Sequence, residues 1–406
     1  MTIFTAGLIA IVSAWMAFKK PVWALSAILA LLPAYLIRLT VWGFPTTLLE
    51  LLILAFLAGL AARGPDYKKL LSLGKINWAV GLFLLAAIVG TLTSPEQARA
   101  LGQLKAFFVE PILLFYAAIL LLQEKQNLKL ALQSLLLSAT ALSLFGLFQY
   151  FTYFGLPIRF WGSGMEPERI VSLFEYPNAL ALFLGPLIGL FFTLELKNYY
   201  LFKEKWIPRV GLGLMAAALI LTFSRGAWLA VLITLGLLLI KNIGLKKTAL
   251  VAATVLIAGI LLPSLWERII AGISDPSARA HWDLMTAGIN KVLASPFWGN
   301  GLYGFRTTLE QSNFAGEILN YPHNIFLNFW LEIGLLGLLA FGWIINLALR
   351  QQRKHLSVPA LAASSFLLIV ILHGLVDVPY FKNDLAILFW FALSLFYLSP
   401  KESSVA

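Results

Sequence analysis

The stretch NYPHNIFLNFWLEIGLLGL, Asn320–Leu338, decides how this chain is read. It opens an apolar run that continues to about residue 349, long enough to cross the roughly 30 Å of a hydrocarbon core. Yet the run begins Pro-His-Asn and holds a carboxylate, Glu332, about two turns inside. Charged groups within a spanning segment are costly, about 2.5–3.5 kcal/mol on insertion scales, so each needs a reason.

Outward from this stretch, the whole chain has the same character. Its 406 residues are 60% hydrophobic and only 12% charged, where a soluble domain carries about 25% charged residues. Apolar segments recur at 3–18, 21–42, 45–62, 77–94, 106–122, 129–152, 178–196, 209–223, 226–240, 247–263, 323–349, 358–377 and 384–399. The expectation is an all-α polytopic membrane protein with 12–13 transmembrane helices, forming one transmembrane domain over 1–406. The first segment has neither a basic start nor a small-residue cleavage site, and Lys19–Lys20 follow it, so it reads as a span rather than a cleaved leader.

The connections alternate in charge. Basic residues gather at Lys19 and Lys20; at Arg63, Lys68, Lys69 and Lys75; and at Lys125 and Lys129. They gather again at Lys197, Lys203, Lys205 and Arg209; at Lys241, Lys246 and Lys247; at Arg350, Arg353 and Lys354; and at Lys401. By the positive-inside rule these connections face the cytoplasm, and the C-terminus with them. The net charge of +11 is thus largely a topology signal, and no nucleic-acid partner is inferred from it. The outer side then holds 153–177, the Ser224–Gly226 break and a long loop at 264–322, expected to be partly helical, with a helix over 278–294. No internal repeat or low-complexity tract is present.

Without cysteine there is no thiolate nucleophile or thiolate metal ligand. The outer acids Glu166, Glu168, Glu175 and Asp275 are scattered, so neither metal nor cofactor is expected. GNGLYG, Gly299–Gly304, fits a dinucleotide-binding pattern, but that reading needs a preceding strand and a βαβ unit; here it follows SPFW in the outer loop and reads as a turn.

Several polar residues have both a plain and a functional reading. Arg225 interrupts the apolar stretch 211–240, as a snorkelling turn residue or as an anion site. Arg169, Arg279 and Arg38 are further outer-side arginines. A guanidinium forks onto phosphate oxygens and stays charged. Lys105, with Glu110 nearby, is either a basic ligand-binding group or half of an interhelical ion pair. His323 is either a helix-mouth residue or a general base, with Asn324 to orient it. On a straight helix Glu332 faces away from His323, so it reads as a buried partner for another helix, Lys105 being the candidate. His373 and Asp377, four apart, read as a local pair on one helix face.

The order of LTFSRGAWLA (221–230), SARAHW (277–282), SPFWGNGLYGF (295–305), YPHNIFLNFWLEIGLLGLLAF (321–341) and HGLVDVPYFKNDLAILFW (373–390), with RIVSLFEYPNALALFL (169–184), resembles the O-antigen ligase and polymerase superfamily. FPTTLLELLIL (44–54) and KAFFVEP (105–111) echo it more weakly. The resemblance implies a membrane fold related to lipid-linked glycosyltransferases (GT-C-like) and an undecaprenyl-diphosphate-linked glycan as donor. It also implies a glycolipid or protein hydroxyl as acceptor, and a site on the outer face of the bacterial cytoplasmic membrane. It maps Arg225 and Arg279 onto the diphosphate-holding arginines and His323 onto the essential histidine, with Arg169, Lys105 and Arg38 as looser donor-binding candidates and Asn324, Glu332 and Asp377 in support. Metal-independent, inverting transfer is part of the same expectation. A repeat-unit polymerase is the alternative within the superfamily, for which Arg159, Arg169 and Arg268 would supply a second anionic site. A secondary transporter is the alternative outside it, but no pair of Gly/Pro-broken helices recurs in two halves.

The topology predicts the labelling of single cysteines in intact cells. An impermeant thiol reagent is expected to modify a cysteine at Ser277 and to spare one at Ser72. The reverse pattern would overturn the orientation.

Overall fold

The computed structural model describes residues 3–41, 44–162, 168–260, 276–312, 314 and 318–398. Glu166, Arg268, Asp275 and Lys401, and the ends of the expected segments 247–263 and 384–399, lie outside these described residues. In chain order the chief elements are α1 Ile3–Lys19, α2 Pro21–Ala30, β1 Arg38–Val41, β2 Phe44–Thr47, α3 Leu48–Arg63, α4 Lys75–Leu92 and α5 Gln97–Gln103. A π-helical turn, Leu104–Val109, joins α5 to α6 Glu110–Leu121. There follow α7 Lys125–Thr152, α8 Pro177–Leu196, α9 Trp206–Leu221, α10 Arg225–Ile243 and α11 Leu245–Ile260. The chain ends with α12 Pro276–Ala294, α13 Gly304–Glu310, α14 Ile325–Lys354, α15 Val358–His373 and α16 Asn383–Ser394.

Among the described residues six stretches are long and apolar enough to cross a membrane: α4, the continuous Gln97–Leu121, α7, α8, α10 and α14. Shorter apolar helices pack among them. The protein is an all-α polytopic membrane protein, and a single two-stranded hairpin, β1 with β2, is its only sheet among the described residues. A helix suits the bilayer because it satisfies every backbone polar group within one segment. Side chains then knit the helices together: α14 packs along α4, α15 along α8, and α10 against both α8 and α15. An aromatic cluster of Phe83, Phe108, Phe329, Phe341, Tyr380 and Trp390 fills the centre. Its polar tips are satisfied: Trp390 Nε1 donates to Tyr380 Oη at 3.0 Å, and Tyr380 Oη to the Phe107 carbonyl at 2.6 Å.

Three expectations from hydrophobicity are corrected. The apolar segment 21–42 is not one helix. Pro33 carries no N–H and its ring crowds the preceding turn, so α2 gives way to a 3-10 turn at Leu32–Leu36 and then to the β hairpin. The segment 358–377 ends as a helix at His373, so His373 and Asp377 do not share a helix face. The segment 323–349 starts its helix at Ile325, runs to Lys354, and is interrupted at Ile333 (φ −130°) and Gly334 (φ +70°).

That interruption organises the loop side of the molecule. It frees the Leu331 carbonyl to accept from the Asn300 N–H at 2.6 Å, while the Leu335 N–H donates to the Phe297 carbonyl at 3.1 Å. Glu332 lies fully buried in the break, and its Oε2 accepts from the Tyr303 N–H at 2.6 Å. The expected Glu332–Lys105 pair is therefore absent, because the carboxylate is taken by a backbone donor of the loop. The GNGLYG stretch is the turn wedged into this gap. A Cβ on Gly299 would lie 2.5 Å from the Trp330 carbonyl oxygen, and one on Gly301 would lie 2.6 Å from Ser94 Cα, at the end of α4. Glycine here allows backbone-to-backbone contact as well as positive φ (+71° and +78°).

This contact makes Gly301 a stability test. Gly301→Ala is expected to lower stability by about 1–3 kcal/mol, read as an earlier thermal melt in detergent. Gly81→Ala, on α4 with nothing within 4 Å of its Cβ position, is expected to be neutral or mildly stabilising. Equal melts for the two variants would contradict the wedged-loop description.

Candidate active site

The mouth of α14 is held by its cap. The Asn324 side chain accepts from the Leu327 N–H at 2.9 Å, and its Nδ2 donates to the Leu375 carbonyl at 3.1 Å. The Ile325 N–H donates to the Gly374 carbonyl at 2.7 Å. These bonds tie the start of α14 to the turn after α15 and place His323 beside Asp377. His323 itself adopts φ +51°, a conformation uncommon for a residue with a Cβ and concentrated at functional sites.

His323 Nδ1 lies 3.2 Å from Asp377 Oδ1. An ionised carboxylate only accepts, so Nδ1 carries the proton and Nε2 is left with its lone pair. Nε2 is buried and has no hydrogen-bond partner in the protein. Burial by itself would raise the Asp377 carboxyl. The hydrogen bond from His323 and the charges of His323, His373 and His281 outweigh it and hold the carboxyl well below the usual range. Asp377 Oδ1 also accepts from the Val378 N–H at 2.8 Å, and Oδ2 lies 3.5 Å from Asn178 Nδ2.

Arginines approach from the other side. Arg169 donates through Nη2 to Asn178 Oδ1 at 3.1 Å and through Nε to the Thr222 carbonyl at 2.9 Å. Thr222 stands at the end of α9, three residues before Arg225. Arg225 is the first residue of α10, half-buried, behind the N-cap Ser224 and after Phe223 at φ +51°. A cation at a helix N-terminus opposes the helix dipole, whereas an anion there is favoured by it. Gly226 lets this helix head sit against α15: a Cβ there would lie 3.1 Å from His373 Cδ2.

A residue not singled out from the sequence completes the cluster. His281, on α12, stacks on His323 with ring centroids 3.7 Å apart and planes 7° from parallel. Three of the chain's four histidines thus gather around Asp377. Burial first, then the neighbouring His323 and Arg225, push the His281 imidazole down to about 4, against Asp377 and the Val376 backbone hydrogen bond. A usable signal was the helix register: His281, Leu284, Gly288 and Val292 follow the 3.6-residue repeat and form one face of α12.

The structure does not bring the other candidates to this point. Arg279 is exposed and lies two residues, about 200° of helix rotation, from His281. Lys105, on the π-helical turn, pairs with buried Glu50 at 2.9 Å rather than forming the expected pair with Glu110. Arg38 pairs with Glu175 at 3.6 Å from the hairpin. Glu332 secures the loop, as described above. Among the described residues no group of three or more His, Asp or Glu side chains is arranged to hold a metal ion.

Comparison with known proteins converges on the same region. Residues 210–342, which include Arg225, His281 and His323, match the family model described as O-antigen ligase. The chain is 27% identical over 312 residues to an O-antigen ligase of Pseudomonas aeruginosa, covering 75% of this chain and 72% of that one. It is 24% identical over 312 residues to an O-antigen ligase of Salmonella typhimurium, covering 71% and 73%. With a polytopic helical fold and a histidine-bearing helix mouth after a large loop, the chain is similar to O-antigen ligases, through the family model over 210–342 and through these two relatives over about three quarters of its length.

Proposed function

We propose that the protein is a ligase-type glycosyltransferase. It moves a glycan from an undecaprenyl-diphosphate donor to a hydroxyl group of a glycolipid or protein acceptor. The reaction takes place at the outer face of the bacterial cytoplasmic membrane, without a metal and with inversion at the anomeric carbon. The observation that carries this reading is the His323–Asp377 pair: Nδ1 is committed to the carboxylate and Nε2 has no hydrogen-bond partner in the protein.

The chemistry follows from these positions. The His323 Nε2 lone pair removes the acceptor hydroxyl proton as that oxygen attacks the anomeric carbon. The bond from that carbon to the lipid diphosphate breaks, and its electron pair leaves with the diphosphate. Asp377 holds the ring in the required tautomer and stabilises the imidazolium that forms, as the carboxylate does in other His–Asp pairs. Arg225, backed by the N-terminus of α10, meets the charge growing on the leaving diphosphate. Fixed charges in a poorly hydrated cleft stabilise such charge strongly.

The ligase reading over the polymerase one is supported by the arginines already engaged. A polymerase holds two diphosphate lipids and needs anion recognition twice. Arg159 donates to the Glu175 carbonyl at 3.0 Å and Arg169 to Asn178 and the Thr222 carbonyl. Arg225 stands at a helix head beside the histidines, one such arginine where a polymerase needs anion recognition twice.

Purified protein in detergent, given lipid-linked glycan and acceptor, tests the assignment by its release of undecaprenyl diphosphate. His323→Ala is expected to bind donor almost normally while transfer falls by about 10²–10⁴, the usual contribution of a general base. Arg225→Lys keeps the charge but loses the two-pronged geometry, so donor affinity and transfer are both expected to drop. Equal loss of donor binding and transfer in His323→Ala would move His323 from the acceptor to the donor side. Wild-type rates in both variants would overturn the reaction.

A further inference from the structure

α12 reaches the site with one face. Leu284 and Val292 are buried in a small cluster with Phe305, Leu309 and Leu331. Gly288 comes so near the mouth of α14 that a Cβ on it would lie 3.0 Å from Pro322 Cβ and 2.9 Å from Leu327 Cδ2. This register turns His281 inward onto His323, ring on ring at 3.7 Å, and turns Arg279 outward. The His281 side chain is further tied to the Val376 backbone, and Arg225 is close enough to act on its charge.

A general base does not need a second imidazole stacked on it. A second imidazole stacked on a base and within electrostatic reach of an arginine does suit an anionic ligand with charge on two neighbouring groups. We infer that His281 is a contact of the donor diphosphate and becomes an imidazolium as the diphosphate binds. This inference rests on the diphosphate-donor reading given above. The proton comes from solvent, and its N–H then donates to a phosphate oxygen. No covalent bond to the donor changes in this step.

The groups that face His281 decide the sign. His323 faces it from the mouth of α14, Arg225 from the head of α10, and Asp377 with the Val376 carbonyl from the turn after α15. Asp377 is already engaged by His323, and His373 also acts on that carboxylate. Burial, His323 and Arg225 keep the ring neutral down to about 4. The charge of a diphosphate beside Arg225 reverses that balance and raises the value in the complex. Between the free and bound values one proton is taken up on binding. Donor affinity then falls about tenfold per pH unit as pH rises through that window and is level above it.

The test is donor binding without acceptor, measured in detergent at pH 5 and pH 7. The probe is undecaprenyl diphosphate capped with one sugar, whose two phosphates each keep a single charge over this range. Wild type is compared with His281→Gln and His281→Phe. The Kd of each variant relative to wild type is expected to be about tenfold larger at pH 5 than at pH 7. His281→Phe keeps an aromatic ring on His323, so it reports the missing proton even where the glutamine variant fails to fold. A ratio that is the same at both pH values, in either folded variant, would overturn the role of His281. A wild type that binds the probe at neither pH would overturn the donor reading itself.

Discussion

The structure depends most on one buried carboxylate and the ring it orients. Asp377 lies in the turn after α15, and His323 lies 54 residues earlier, at the mouth of α14. Neither position is set by its own helix. The Asn324 cap, with its bond to Leu375, and the Ile325–Gly374 bond clamp the two segments together. His323 accepts a left-handed backbone conformation to fit the clamp. Such strain persists only where the surroundings over-determine it. Here the surroundings are a helix cap, a stacked histidine and a buried aspartate.

A second constraint carries the loop to that site. The break in α14 at Ile333–Gly334 opens backbone groups in the middle of a spanning helix. In hydrocarbon such groups must be satisfied by protein. The Asn300 and Tyr303 N–H groups meet the Leu331 carbonyl and the Glu332 carboxylate there. The turn Gly299–Gly304 is thereby docked against α4 and α14, and α12 is anchored next to it. The carboxylate that looked misplaced within an apolar run is the peg on which the loop hangs. The histidine cluster at the helix mouth and the docked turn at the helix middle are thus two parts of one arrangement.

Much of the fold was legible in the sequence, because a span announces itself by length and hydrophobicity. Legibility failed where a local feature overrode the average. Pro33 ended α2 inside an apolar run, and the turn after His373 separated two residues whose spacing suggested one helix face. In the site, His323, Arg225 and Asp377 were named from the sequence, but the partner of Asp377 was not. The spacing suggested His373, four residues away, whereas the hydrogen bond comes from His323. Glu332 was assigned a side-chain partner when its donor is a backbone N–H, which leaves no trace in residue identity. His281 was overshadowed by Arg279, two residues before it. Only the register of α12 separates the residue that faces inward from the one that faces out.

The most direct measurement is glycan transfer by purified Asp377→Asn protein at saturating donor. Asparagine can still occupy the turn and meet His323, but it carries no charge and can present a donor where the imidazole needs an acceptor. If Asp377 sets the tautomer and stabilises the imidazolium, donor binding stays near wild type while transfer falls by about 10²-fold or more. Transfer at the wild-type rate would contradict the role of the pair, and would leave His323 as a helix-mouth residue with another group acting as base.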